Sequence, residues 1–330
     1  MLMPSTRRAA HLLLPAMLAV ALAALPAHAQ SAAQPWPQRT VKLILPIGPG
    51  SGADIGARLI SDRLSKLWGQ PVVVENRPGG DSFVAIGGFM AAGDDYSFLW
   101  GPSSTFTAHP YLHAKLPYDP KQLVPLVRVS NTVVSVVVPS SLAITSLPDM
   151  VKLIKAEPGK HNWAAVTGIN DFLFQSFVKS QALEISRVPY RDGVQALNDV
   201  SEGRIQLYSA AYAITRPQVE AGKVRVIAIT NTAPAAMLPG VPTARDVGLP
   251  AIEFDGLVGL YGRPFTPPAV RDRMAADIEA IVKDPAIVEK LAATGQVVNF
   301  GASAAFIASV DKQRIVAASA AKILGLTAAP

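Results

Sequence analysis

A strand that breaks into a glycine turn, then a helix, then a second strand without polar alternation constrains this chain more than any other feature. Val41-Lys42-Leu43-Ile44-Leu45-Pro46 is a short β-type run that ends in Gly48-Pro49-Gly50-Ser51-Gly52. Ile55, Leu59, Ile60, Leu64 and Leu67 then recur at helical spacing until Gly69 stops the pattern. Pro71 to Glu75 carries three consecutive valines, the composition of a strand covered on both faces of a parallel sheet. The order strand, helix, strand commits this part of the chain to an α/β layer architecture.

The rhythm continues. A loop from Asn76 to Gly80 leads to a small-residue helix near Phe83 to Ala92, a strand from Tyr96 to Trp100 and a polar loop, Gly101-Pro102-Ser103-Ser104-Thr105. Strands are expected at Val133–Pro139, Asn162–Val166, Arg187–Tyr190, Ile205–Ser209 and Val224–Thr230. Helices are expected at Leu147–Glu157 (capped by Ser146), Phe172–Gln181 and Val194–Glu202. Phe254 to Tyr261 reads as a further strand, with helical stretches after Pro267-Pro268 and again from Ala302. Two α/β lobes follow, one of residues 30–130 with 251–330 and the other of residues 131–250. Such a discontinuous lobe makes the chain cross twice, and two crossings form a hinge around a cleft.

Residues 1–29 read as an export signal: Arg7 and Arg8 precede an apolar run from Leu12 to Leu25, and Ala27-His28-Ala29 offers a small-x-small cleavage site after Ala29. The expected location is the periplasm. No stretch reaches the roughly 18 to 20 uninterrupted apolar residues of a membrane helix. With no cysteine there is no disulfide, thiolate nucleophile or lipid anchor on a cysteine. Removal of the signal leaves 28 basic and 24 acidic residues, a net charge of +4. That mild excess suits anionic small molecules, and without clustered Lys and Arg it implies no nucleic-acid partner. A monomer is expected.

The glycine turn is the first candidate site. Gly48, Pro49, Gly50, Ser51 and Gly52 let backbone approach a ligand, and the following helix presents free N–H groups and a partial positive charge to an anion. Asp54, three residues after Ser51, either touches ligand or caps the helix in a Ser-x-x-Asp variant of the capping box. A rival interpretation takes Gly48-x-Gly50-x-x-Ala53 with Glu75 as the dinucleotide fingerprint of an exported oxidoreductase, although Pro49 removes one N–H from the phosphate turn. No Gly-Lys-Ser or Gly-Lys-Thr follows the glycines, and neither Ser51 nor Ser103 sits in a Gly-x-Ser-x-Gly frame, so ATP hydrolysis and serine catalysis are not indicated. His109 and His113 are four apart, but Pro110 is expected to interrupt any helix there, so they read as loop histidines and not as a zinc pair. No catalytic set, metal or cofactor is expected.

The loops Gly101–Thr107 and Val166–Asp171 are rich in hydroxyl, amide and backbone donors at the C-terminal ends of strands, where open α/β sheets bind ligands. They contribute the candidates Ser103, Ser104, Thr105, Thr167, Gly168, Asn170 and Asp171. Asp171 in the cleft would repel a second carboxylate or attract an amine; otherwise it caps a helix starting at Phe172.

The chain resembles the solute receptors of tripartite tricarboxylate transporters, the Bug family, from about Trp36 to the C-terminal region. Trp36-Pro37-Gln38-Arg39-Thr40-Val41-Lys42-Leu43-Ile44, the glycine turn ending in Asp54, and Gln70-Pro71-Val72-Val73-Val74-Glu75-Asn76-Arg77-Pro78-Gly79 carry the likeness. Val188-Pro189-Tyr190-Arg191, Ala196-Leu197-Asn198-Asp199, Leu238-Pro239-Gly240-Val241-Pro242-Thr243 and Val247-Gly248-Leu249-Pro250 extend it in the same order. The resemblance implies a two-lobed periplasmic binding protein of Venus-flytrap, type II-like form. Such a receptor holds a small organic acid or amino acid by its carboxylate and hands it to membrane permease subunits. It also implies a ligand zone at Gly48–Asp54, Ser103–Thr105, Thr167–Asp171 and near Tyr190 to Asp192. Gly50-Ser51 stands where the family usually has adjacent glycines, and Asn170-Asp171-Phe172 replaces smaller polar residues and a common histidine.

Overall fold

The computed structural model describes residues 36–166, 168–190 and 192–329; the expected export signal, Thr167 and Arg191 lie outside them. Arg39–Pro330 belong to one unit. Among the described residues, no helix is long and apolar enough to cross a membrane.

The opening unit is β1 (Val41–Leu45), α1 (Gly52–Trp68) and β2 (Val72–Asn76), with β2 parallel to β1. Helix α1 forms where Ala53, Ala57, Ile60, Leu64 and Trp68 stack on one buried face. Ser51 caps it by accepting the Asp54 N–H, and Gly69 ends it in the left-handed conformation with its N–H on Ser65 O. β2 departs from expectation. It is an edge strand and only Val72 is buried, so its three valines do not mark a doubly covered strand.

The chain continues through α2 (Phe83–Ala92), β3 (Ser97–Pro102), α3 (Ser104–Leu112) and β4 (Val124–Thr132). The polar loop expected at Gly101–Thr105 is instead the end of β3 and the start of α3, which runs straight through Pro110. A proline seven residues into a nine-residue helix removes only one bond near the end. After Val133 come β5 (Val134–Pro139), α4 (Leu147–Ala156), β6 (Asn162–Ala165), α5 (Ile169–Ser180), β7 (Ser186–Arg187), α6 (Gly193–Ser201), β8 (Leu207–Ala211), α7 (Tyr212–Glu220) and β9 (Val224–Ile229). The chain closes with β10 (Gly256–Gly262), α8 (Pro268–Val282), α9 (Pro285–Ala293), β11 (Gln296–Ala302) and α10 (Ser303–Leu324).

Two sheets result, giving the two-lobed α/β form. One has the order β11-β4-β10-β3-β1-β2, the other β7-β6-β8-β5-β9. β10 runs antiparallel to both β3 and β4, and β5 antiparallel to both β8 and β9. Each sheet has its own core: Ile44, Phe89, Leu99, Tyr261 and Phe306 on the first, Met150, Ile154, Trp163, Phe174 and Phe177 on the second. Each of these large side chains contributes about 1.5–3 kcal/mol on burial. Helix α10 packs on β4 and also reaches α5 and α3, where Ala317, Ala320 and Ala321 meet Phe172 and Leu173.

The chain passes from the first sheet to the second at Thr132–Val134 and returns between Ile229 and Gly256. Asn231 fastens both passages. Its Oδ1 accepts the Val134 N–H at 2.9 Å, its Nδ2 donates to Thr132 O at 2.9 Å, and Phe254 N donates to the adjacent Thr230 O at 2.7 Å.

Candidate functional site

The first turns of four helices line one cavity of about 340 Å³. Ser51, Gly52 and Ala53 open α1, Ser104 opens α3, Gly168, Ile169 and Asn170 open α5, and Ala211 and Ala213 flank the start of α7. Two of these helices follow strands of the first sheet and two follow strands of the second, because α/β connections deliver helix N-termini to the C-terminal ends of strands. Thr132 and Val134 at one inter-sheet passage, Phe254 and Gly256 at the other, and Thr294 just before β11 with Gln296 at its start complete the wall.

A helix leaves its first N–H groups without intrahelical partners. In α1, Ser51 Oγ takes the Asp54 N–H and Ser51 O takes the Ile55 N–H, which leaves the Gly52 and Ala53 amides for a ligand. Gly52 is required here by space: a Cβ would stand 2.6 Å from Thr294 O and 3.0 Å from Gln296 Nε2. Among the described lining residues the ionisable side chains are Asp81 and His109, and the rest of the wall includes Ile47, Leu112, Val166 and Val258. The arrangement offers backbone donors and helix-dipole charge to an anion, and hydrocarbon walls to an apolar body.

Asp54 supports the site from behind. Its carboxylate is 1% exposed and accepts from Gly50 N at 2.9 Å, Arg58 Nε at 3.1 Å and Asn76 Nδ2 at 2.8 Å. Burial pushes its pKa up, but the bonds from Arg58, Asn76 and Gly50 outweigh burial and hold it below 3.8. The capping arrangement differs from a capping box by one residue, since Asp54 receives the N–H of Gly50 and not that of Ser51.

Of the residues singled out in the sequence, Ser51, Gly52, Ser104, Gly168 and Asn170 stand on the cavity wall. Gly48, Pro49 and Gly50 shape the turn behind it. Ser103 is fully buried with its hydroxyl on Gln313 Oε1. Thr167 and the Thr105 side chain lie outside the described residues. Asp171 is not the N-cap: α5 begins two residues earlier, at Ile169, and its carboxylate takes Arg187 Nε at 2.7 Å and Nη2 at 2.8 Å. Tyr190 donates its hydroxyl to Asp199, and Asp192 caps α6 by accepting the Val194 N–H at 2.8 Å. Glu75, the acid of the dinucleotide reading, accepts from Arg77 Nε at 2.9 Å and Nη2 at 2.6 Å.

His109 was not a candidate, and it belongs to the wall. With α3 unbroken at Pro110, His109 and His113 lie one turn apart beside Asp81. Burial pushes the His109 imidazole down to about 4 against the opposing pull of Asp81, so the ring is neutral at physiological pH. The sequence signal was the four-residue spacing itself.

Comparison with known proteins agrees with this architecture. The model of the tripartite tricarboxylate transporter family receptor matches residues 56–319. Protein BugT of Bordetella pertussis is 26% identical over 285 residues, covering 85% of this chain and 87% of BugT. A solved structure described as a periplasmic transporter is 29% identical, with a TM-score of 0.74 over 87% of this chain and 97% of its own. The structure of R. palustris Rpa4515 with adipate is 25% identical, with a TM-score of 0.75 over 88% of this chain and 99% of its own. The chain therefore belongs to the tripartite tricarboxylate transporter receptor family, together with the Bug proteins, and is a solute-binding receptor and not an enzyme.

Proposed function

We propose that this receptor captures a small organic acid between its two lobes in the periplasm and delivers it to the membrane permease subunits of a tripartite transporter. The observation that carries the reading is the convergence of four helix N-termini on a cavity without a lysine or arginine among its described lining residues. A carboxylate there is held by backbone N–H groups, by Ser104 and Asn170, and by helix-dipole charge. The hydrocarbon wall favours acids with an apolar body, and adipate in the 25% identical Rpa4515 is a ligand of that kind. Asp171 is neutralised by Arg187 and stands off the wall, so it gives no reason to expect an amine on the ligand.

In this proposal residues 30–130 with 251–330 and residues 131–250 are the closing bodies, Asn231 sits at their hinge, and signal peptidase cuts after Ala29. The test is a thermal-shift screen of the mature protein against mono-, di- and tricarboxylates, amino acids and dinucleotides. A ligand at about 100 times its dissociation constant adds roughly 2.7 kcal/mol of stability. A shift with an acid of apolar body is expected; stabilisation by none of the carboxylates, or by dinucleotides alone, would overturn the proposal.

A further inference from the structure

Asp81, His109 and His113 each offer a ligand atom, and these atoms lie within 4.8 Å of one another. We infer that the three side chains form a site for a divalent transition metal of the zinc class on the wall of the ligand cavity, where a bound carboxylate completes the coordination. The last clause rests on the carboxylate reading above; the metal site does not.

His109 Nε2 is fully buried with no side-chain partner at hydrogen-bond distance among the described residues, Asp81 Oδ2 standing off at 3.6 Å. An imidazole nitrogen buried without a partner is costly, and a metal is one group that satisfies it. The other nitrogen, Nδ1, is 2.9 Å from Tyr118 Oη, the outer-shell bond that fixes the tautomer and ring plane of a ligating histidine. Asp81 Oδ2 is 3.6 Å from His109 Nε2 and 2.6 Å from His113 Nε2. Bonds of about 2.0–2.1 Å in a tetrahedral site space ligand atoms roughly 3.3–3.4 Å apart, so side-chain shifts of about 1 Å suffice.

Phe83 packs edge-on against both imidazoles at 4.8 Å, giving the site an apolar flank. Asp81 and Ser82 both have positive φ, at 50° and 72°, a conformation that side chains other than glycine rarely adopt. Two histidines and one carboxylate leave a fourth position. Asp81 and His109 both line the cavity, so that position is reachable by a ligand carboxylate.

The test uses untagged mature protein, stripped with a chelator and titrated with Zn2+ alone by calorimetry, in parallel with Asp81→Asn, His113→Ala and, as a control, His161→Gln, a histidine off the cavity wall whose Nε2 lies 3.1 Å from Glu157 Oε2. A single equivalent is expected to bind to the wild type and to His161→Gln, with affinity at least about tenfold weaker in the other two variants. Co2+ in place of Zn2+ should show the ligand-field bands of a four-coordinate ion. The His113 side chain is 28% exposed and its loss is tolerable to the fold, which circular dichroism checks, and Asp81→Asn gives a second reading. No zinc uptake by the wild type, or equal uptake by Asp81→Asn and His113→Ala, would mean a hydrogen-bonded cluster only and would overturn the inference. Carboxylate affinity is then measured with and without zinc. A rise of tenfold or more is expected with zinc, and an unchanged affinity would remove the shared coordination. Carboxylate binding to a protein that takes no zinc would sink the metal site while leaving the receptor reading intact.

Discussion

Replacing Asp54 by alanine tests whether the glycine turn is held by its carboxylate. The side chain joins three pieces of chain: Gly50 in the turn, Arg58 one helical turn on, and Asn76 at the end of β2. Hydrogen bonds to a charged acceptor are worth about 1.5–3 kcal/mol each. Gly50 N and Arg58 regain water in the variant because both residues are exposed, and Asn76 Nδ2 keeps Ile47 O at 3.0 Å. Adding about 0.3–1 kcal/mol for an acid in the first turn of a helix, the expected loss is about 2–3 kcal/mol. At roughly 2–4 °C per kcal/mol for a protein of this size class, Tm falls by about 4–12 °C.

The sign with pH follows from the depressed pKa. A carboxyl whose folded pKa lies below its unfolded value stabilises the protein above the unfolded pKa, and that contribution disappears as pH falls through the folded pKa. Urea denaturation of wild type and Asp54→Ala at pH 7 and below about pH 4 reads both quantities. The gap should be about 2–3 kcal/mol at pH 7 and should narrow in acid. A gap under about 0.5 kcal/mol at pH 7, or one that does not change with pH, would refute the reasoning.

Asp171→Asn loses part of a two-pronged bond to the partly exposed Arg187, so a stability loss of about 1–2 kcal/mol by denaturation is expected, with the order of ligand preference unchanged. Asn231→Ala frees the Val134 N–H and Thr132 O at one inter-sheet passage. It should cost about 1–3 kcal/mol and speed hydrogen exchange of the Val134 amide.

Much of the α/β rhythm was legible because strands such as Val134–Pro139 and Val224–Ile229 are apolar runs and helices such as α1 and α4 have clear capping residues. β4 was not, because Pro125, Arg128 and Asn131 interrupt its apolar run. The Arg128 guanidinium is accommodated by Asn299 O, Phe300 O and Ser309 on neighbouring chain. β11 was missed for a similar reason: it is an edge strand with Asn299 and Gly301 inside it, paired among the described strands with β4. α3 and α7 each contain a proline that sequence rules count as a breaker, yet Pro110 and Pro217 fall where one lost bond is tolerated.

The cavity wall was legible where it follows a strand-to-turn junction, at Ser51, Gly52, Ser104, Gly168 and Asn170. It was not legible at Thr132, Gly256 or Gln296, which are brought to the cavity by the pairing of distant strands. Asp171 misled because a carboxylate just before an apolar helical run looks like a cap, and only the fold brings Arg187 to it.

The most direct measurement is calorimetric titration of the stabilising carboxylate into wild type, Ser104→Asn and Ser104→Asp. Ser104 is the first residue of α3 and lies on the cavity wall. An aspartate there suits the helix dipole and the fold, but sets a negative charge where a ligand carboxylate is to sit. Affinity within about threefold of wild type is expected for Ser104→Asn, and a loss of at least about 100-fold, 2.7 kcal/mol, for a folded Ser104→Asp. Equal binding by wild type and Ser104→Asp would contradict capture of a carboxylate at these helix N-termini.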